Sequence, residues 1–280
     1  MSPSEHHELY LDPLCYDVAF DVRETSRECD FMAWCVERLA GGRLEAALEL
    51  AAGPGYHALE FARRGLRSVA LDIEPSMVAH LRRKASAVAK APPPSLLGRL
   101  GGLRAQPRPL EVVEGDMRVW RAETPVDLAY TLFGSFCYLL TTDDARQHFE
   151  AVAASLRTGG LYVIELPHPR KFLRGDVTTQ DAWVRERDGV KVTVRWDTGR
   201  AVPDPVTHCM DVRSEFEVEE GGRRRKVRTR GRQRVWFAPE IEALSRGRFT
   251  LLSWFGAMDR KVAYDYGRKA WRMVAVLQRV

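Results

Sequence analysis

The stretch A-L-E-L-A-A-G-P-G, from Ala47 to Gly55, constrains this chain more than any other. An apolar run from Ala46 to Leu50 carries a carboxylate, Glu49, near its end and leads into a turn holding Gly53 and Gly55. A helical pattern starts at once at Tyr56 and stops at Gly65. Glycine has no Cβ and reaches unusual φ/ψ values at little cost, so backbone can pass close to a ligand there. The helix that follows aims its N–H groups at the crevice beyond the strand. The spacing predicts a buried strand, a tight turn and a helix around a nucleotide-like ligand at the end of a parallel sheet.

The same alternation continues. Ser68 to Asp72, Leu110 to Val113, Val126 to Leu132 and Leu161 to Leu166 read as further strands. Between them, Pro75 opens a helix with Met77, Val78, Leu81, Ala85 and Val88 inward, stopped by Pro92-Pro93-Pro94. Thr142 and Asp143 are placed to cap another, running to about Arg157. Thr25 to Leu39 has helical spacing, and Ser95 to Pro109 reads as a loop or short helix. Strands alternating with helices make an α/β, doubly wound, mostly parallel sheet. After Pro167 the period changes to two: Trp183–Arg187, Val190–Trp196, Val212–Val218 and Lys226–Phe237, with Asp188-Gly189 and Gly221-Gly222 as hairpin turns. A helix at Pro239 to Arg246 and strands at Phe249–Phe255 and Trp271–Leu277 restore the α/β pattern. The expected organisation is a lead-in over 1–40, a main domain over 41–167 and 238–280, and an inserted small antiparallel β subdomain over 168–237.

Bulk composition narrows the class. The chain has 280 residues, 45% hydrophobic and 29% charged, which suits a soluble globular protein. Cys15, Cys29, Cys35, Cys137 and Cys209 lack CxxC spacing, so neither a disulfide framework nor a metal site is expected. The N-terminus has no signal-peptide pattern and no apolar run is long enough to span a bilayer, which suggests a cytoplasmic location. A net charge of +5 permits an acidic partner without demanding one.

Three carboxylates, Glu49, Asp72 and Asp116, end successive predicted strands, where a parallel sheet binds ligands. Asp72 can accept hydrogen bonds from ribose hydroxyls, and Asp116 from an exocyclic amine. With E-L-A-A-G-P-G, V-A-L-D-I-E-P-S-M, V-E-G-D-M, V-D-L-A-Y and L-R-T-G-G-L-Y-V-I-E-L in that order, the chain resembles the class I S-adenosylmethionine-dependent methyltransferases. The β insertion resembles that of a small-molecule branch of the family. The resemblance implies a Rossmann-like, seven-stranded sheet and S-adenosylmethionine as cofactor. It implies that Gly53 and Gly55 pass beside the methionine part, with Glu49, Ala51 and Met77 also in the cofactor site. Asp72 would hold the ribose hydroxyls, with Ile73 against the adenine, and Asp116 and Met117 would meet the adenine edge. Leu132, Phe133 and Ser135 would sit near the sulfonium and the incoming substrate. Tyr16, with Tyr10, would close over the cofactor, and Tyr138 would line the acceptor pocket. Ala51 stands where the family usually has a third glycine.

Other readings compete. Gly53 to Ala58 also satisfies G-x-G-x-x-A, and Asp72 would suit NAD, although Glu49 and the G-D-M step do not belong to that pattern. A general base, if one is used, would be His168, in P-H-P after the fifth strand. Of the other histidines weighed, His57 starts a helix, His148 reads as surface and His208 lies in the insertion. The basic run from Arg223 to Arg234 could meet RNA or protein. Glu215, Glu217, Glu219 and Glu220 precede it, however, and a hairpin would pair the two sets across neighbouring strands. The favoured expectation is a monomeric or homodimeric methyltransferase with a small-molecule acceptor. Nucleic acid is the less favoured partner, and an accessory protein that has lost catalysis is the reading from another class.

Overall fold

The computed structural model describes residues 12–90, 108–173, 181–196 and 201–280. Its centre is a seven-stranded sheet. β1 (Ala46–Leu50), β2 (Arg67–Asp72), β3 (Leu110–Glu114), β4 (Val126–Thr131) and β5 (Leu156–Pro167) are joined on one edge by β10 (Phe249–Phe255) and β11 (Arg272–Arg279). The order is β10-β11-β5-β4-β1-β2-β3. β1 to β5 run parallel, and β11 is antiparallel to β5. The chain leaves β1 towards β2 and leaves β4 towards β5, so the order reverses between β1 and β4. That switch point opens a crevice beyond their C-terminal ends. Buried apolar residues cover both faces of the sheet, as in Leu48, Leu50, Tyr162 and Ile164 on one side and Ala47, Leu128, Tyr130 and Val163 on the other.

The helices are α1 (Pro13–Ala19), α2 (Thr25–Arg38), α3 (Tyr56–Arg63), α4 (Pro75–Lys90), α5 (Thr142–Ser155), α6 (Arg170–Leu173) and α7 (Ala238–Ser245), with a 3-10 turn at Ser135–Tyr138 between β4 and α5. α5 differs from expectation at its start. Thr141, not Thr142 or Asp143, is the N-cap, and it exchanges hydrogen bonds with Asp144 in a capping box. β5 already begins at Leu156, ahead of the Gly159-Gly160 pair expected to precede it. His148 is not on the surface. It is fully buried on α5, with Nδ1–H donating to the Met117 carbonyl (2.9 Å) and Nε2 accepting from the Tyr162 hydroxyl (2.6 Å). Burial pushes its pKa down to about 4, so it is neutral.

A second, four-stranded antiparallel sheet lies in sequence between β5 and β10. It consists of β6 (Asp181–Arg187), β7 (Val190–Trp196), β8 (Cys209–Glu220) and β9 (Arg223–Arg234). Both predicted hairpin turns form with left-handed residues, Asp188-Gly189 and Gly221-Gly222. The lead-in divides between the sheets. Cys15, Val18, Ala19 and Phe20 of α1 and the turn after it pack on Val192, Val194 and Phe216 of the second sheet. Phe31, Met32 and Cys35 of α2 pack on the main one. Buried Asp17 ties α1 to both sides, meeting His80 (2.8 Å) and Lys84 (3.0 Å) of α4 and Arg187 (3.0 Å) of β6. Most of the basic run sits on the exposed face of β9, in register with the acids of β8. Tyr10 and most of the 95–109 segment fall outside the described residues.

Candidate active site

After Leu50 the backbone turns through Ala51 (φ 53°), Gly53 (φ 52°) and Gly55 (φ 67°), all left-handed. Gly55 is doubly required, because a Cβ there would stand 2.5 Å from Leu81 of α4. Ala51 holds the same backbone region with its Cβ in place, at a cost of about 1–2 kcal/mol. Two carboxylates pin the turn. Glu49 Oε2 accepts the Ala58 N–H (2.9 Å) at the start of α3. Asp72 Oδ2 accepts the Gly53 N–H (2.6 Å) and its Oδ1 the Glu74 N–H (2.9 Å). Burial raises the Asp72 pKa above the usual carboxylate range, against the pull of those two N–H groups.

Two spaces open beyond these strand ends. A narrow cleft of about 30 Å³ lies against Glu49, Ala51, Gly53, Leu132 and Phe133. A cavity of about 1770 Å³ extends from it between the main sheet, α2 and the second sheet. Tyr16, Phe20, Phe133 and Ser135 line both, so the two spaces meet there. Phe20 is the hub of the junction. Its ring lies 4.4 Å from Tyr16, 5.7 Å from Trp183, 5.6 Å from Trp196 and 6.2 Å from Phe133. Burial raises the Tyr16 pKa, so its phenol stays protonated.

The structure distributes the remaining sequence candidates unevenly. Ile73 is 49% exposed past the end of β2, an apolar side chain open to solvent beside the crevice. Met77, at 1% exposure, lies under the first turn of α4 and not in the open site. Asp116 is engaged by Arg118, whose guanidinium bridges on to Asp144 (2.8 Å), and its pKa is lowered: the Arg118 bonds outweigh the opposing effect of burial. Met117 packs partly buried against the main core. Tyr138 lines the cavity, and its hydroxyl accepts from Gln233 Nε2 (3.2 Å). His168 also lines the cavity, but both ring nitrogens are committed. Nδ1 accepts the Arg170 N–H (3.0 Å) and Nε2–H donates to the Asp265 carbonyl (3.1 Å). Burial lowers its pKa, so the ring is neutral.

Beneath the junction runs a chain of charges that sequence reasoning missed. His57 bridges Glu49 (3.4 Å) and Glu28 (2.7 Å). Arg23 bridges Glu28 (2.7 Å) and Glu165 (2.8 Å), and Arg272 lies 3.2 Å from the same Glu165 oxygen, Oε1. Burial alone would push His57 down, but the two carboxylates outweigh it and raise its pKa to about 9. Glu165 is likewise held down to about 2, its arginine partners and the Phe133 N–H overcoming complete burial. With His57 protonated, three acids face three bases. The only sequence signal was Glu165 itself, an acid inside the apolar run L-Y-V-I-E-L. Among the described residues no group of three or more His, Cys, Asp or Glu side chains gathers as a metal site.

A family profile described as a methyltransferase domain matches residues 48–164, which spans β1 to most of β5. That segment is similar to a methyltransferase domain. It includes every strand end of the switch point. The fold as a whole is shared with solved S-adenosylmethionine-dependent enzymes. One from Clostridium acetobutylicum superposes with a TM-score of 0.69 at 17% identity, covering 97% of this chain and 98% of that one. The amino pentose methyltransferase CalS10 from Micromonospora echinaspora, solved with S-adenosylmethionine bound, gives 0.67 at 19%, covering 95% and 96%. The sugar N-methyltransferase KedS8 from Streptoalloteichus gives 0.67 at 18%, covering 94% and 92%. No curated protein sequence matches the chain.

Proposed function

We propose that the protein moves the methyl group of S-adenosylmethionine to an oxygen or nitrogen of a small acceptor held in the larger cavity. The observation that carries this is the junction, where a cleft at the strand ends opens into a cavity through four shared residues, three of them aromatic. The donor groups fit the cofactor. Each Asp72 oxygen accepts a single backbone N–H and keeps a lone pair for a ribose hydroxyl. Glu49 and the left-handed turn suit the methionine part, with Leu132 beside it. Ile73, Met117 and Asp116 suit the adenine, the last sharing its carboxylate with Arg118.

When bound, the cofactor supplies an electrophilic methyl on a sulfonium. The aromatic faces of Tyr16, Phe20 and Phe133 favour that positive charge. The chain's own task is to align the acceptor and exclude water. Phe133 is fixed for this by its left-handed φ of 59° and by its N–H bond to Glu165 (3.0 Å). A neutral amine needs no base. His168, with both nitrogens engaged, serves as a wall and positioning residue. Two of the solved neighbours are described as amino pentose and sugar N-methyltransferases, so amine-bearing sugars head the acceptor screen.

The nucleic-acid reading draws less support, because several cations of β9 are matched by acids: Arg228 meets Glu215 (2.9 Å), Arg230 meets Asp211 (2.6 Å) and Arg234 meets Glu240 (2.8 Å). The test is calorimetric titration with S-adenosylmethionine and, separately, NAD, repeated on Asp72→Ala. Micromolar binding of S-adenosylmethionine alone, weakened about 10- to 100-fold in the variant, is the expected result. Binding of NAD alone would overturn the proposal.

A further inference from the structure

Arg272 opens β11 at the wall of the large cavity. Its side chain is 19% exposed and carries a full charge beside Glu165. None of its three guanidinium nitrogens makes a hydrogen bond among the described residues. The Nε–H is wholly buried and misaligned with Glu165 Oε1, only 3.2 Å away. The other wall cations differ. Arg23 donates to Glu28 and Glu165, and Arg170 to three backbone carbonyls. Arg260 and Lys261 are exposed to water. Charge is balanced along the chain, but the Glu165 oxygens already take two hydrogen bonds from Arg23 and one from Phe133, so the Arg272 fork is left without an acceptor there. The Nε–H, shut away from water without an aligned acceptor, is costly, while the two terminal nitrogens keep access to the cavity side. Its planar fork matches an oxyanion.

We infer that Arg272 is a specificity residue that docks an oxyanion of the acceptor, a carboxylate or a phosphate. This rests on the methyl-transfer reading and narrows its substrate class to small molecules bearing a negative charge. The anion sits one side chain, Glu165, away from Phe133 at the junction, which leaves the reacting atom free to reach the cleft. Trp271, whose ring lies 4.3 Å from the Arg272 guanidinium, stiffens the fork from one side. Trp183 and Trp196 offer flat walls for the rest of the molecule.

The test uses benzoate, phenyl phosphate and neutral benzamide as probes of the full chain loaded with S-adenosylhomocysteine. Tryptophan fluorescence reads binding, since Trp183, Trp196 and Trp271 line the cavity. One or both anions should bind at least about tenfold tighter than benzamide, and R272Q should remove that preference, bringing the three probes to similar affinity. The stronger anion identifies the source as carboxylate or phosphate. R272K keeps the charge without the fork and should lose severalfold for the anions; it decides the matter if R272Q does not fold. Equal binding of all three probes, no binding of any, or a preference that survives both variants overturns the inference. Calorimetry of the wild-type chain with S-adenosylhomocysteine is run first. Failure there sinks the methyltransferase reading, a result distinct from failure of the anion site.

Discussion

The charges between β8 and β9 lie on an open sheet face, whereas those running from Glu49 through His57, Glu28, Arg23 and Glu165 to Arg272 lie beneath the candidate site. On the sheet, Arg228 is 76% and Arg230 65% exposed, and water already solvates both partners of each pair. In the buried chain, Glu165 is 1%, His57 1% and Arg23 6% exposed. Exposed pairs contribute little because solvent screens them. Buried pairs need not add net stability over an apolar core, but losing one partner strands the other in a poor dielectric. The ladder, so conspicuous in the sequence, therefore tells mainly about solubility. The buried chain joins the ends of β1 and β5 to α2 and so fixes the floor of the site.

The largest effect should come from cutting the buried chain at its centre. Arg23→Ala leaves Glu165 and Glu28 without their shared partner and should cost about 3–5 kcal/mol, a fall in Tm of about 10 °C by calorimetry. A loss under about 1 kcal/mol would show that the chain is no more structural than the ladder.

Stability against pH should separate the two regions next. The folded pKa of His57 is raised, so its contribution is complete below the ordinary value near 6.5 and is lost as pH rises through about 9. Glu165 is lowered, so its contribution is present above the ordinary value near 4.5 and is lost as pH falls through about 2. Chemical denaturation at fixed pH should show stability falling by about 2–3 kcal/mol between pH 6.5 and 9, and His57→Gln should flatten that limb. A limb that persists unchanged in the variant would assign it to other groups.

Ala51→Gly relieves a left-handed Cβ but loosens the unfolded chain, so it should gain about 0.5–1 kcal/mol net. A measured loss would mean that the turn depends on the alanine methyl. The smallest effect belongs to the ladder. A double-mutant cycle on Arg228 and Glu215 should give a coupling of about 0.2–1 kcal/mol that fades in about 0.5 M salt. A larger, salt-resistant coupling would erase the contrast between the two regions.

Much of the architecture was legible because it is local. The period of apolar residues named the strands, and Asp188-Gly189 and Gly221-Gly222 named both hairpins. The register of β8 and β9 followed from the second turn and brought the acids opposite the bases. One error was local: Thr141 took the cap because the carboxylate three residues on is Asp144. Another fell where a distant partner decides. His148 went inside because Met117 and Tyr162, from other elements, satisfy its two nitrogens.

The sequence by itself determined the α/β order, the turn at Ala51 to Gly55 and the carboxylates at the ends of β1 and β2, since each depends on spacing within a few residues. Only the tertiary structure decided that Arg23 meets Glu165, 142 positions away, that Phe20 joins the cleft to the cavity, and that His168 has no ring nitrogen to spare. Those outcomes depend on which side chains the folded chain brings together and on how much water it leaves between them. No period or motif encodes either.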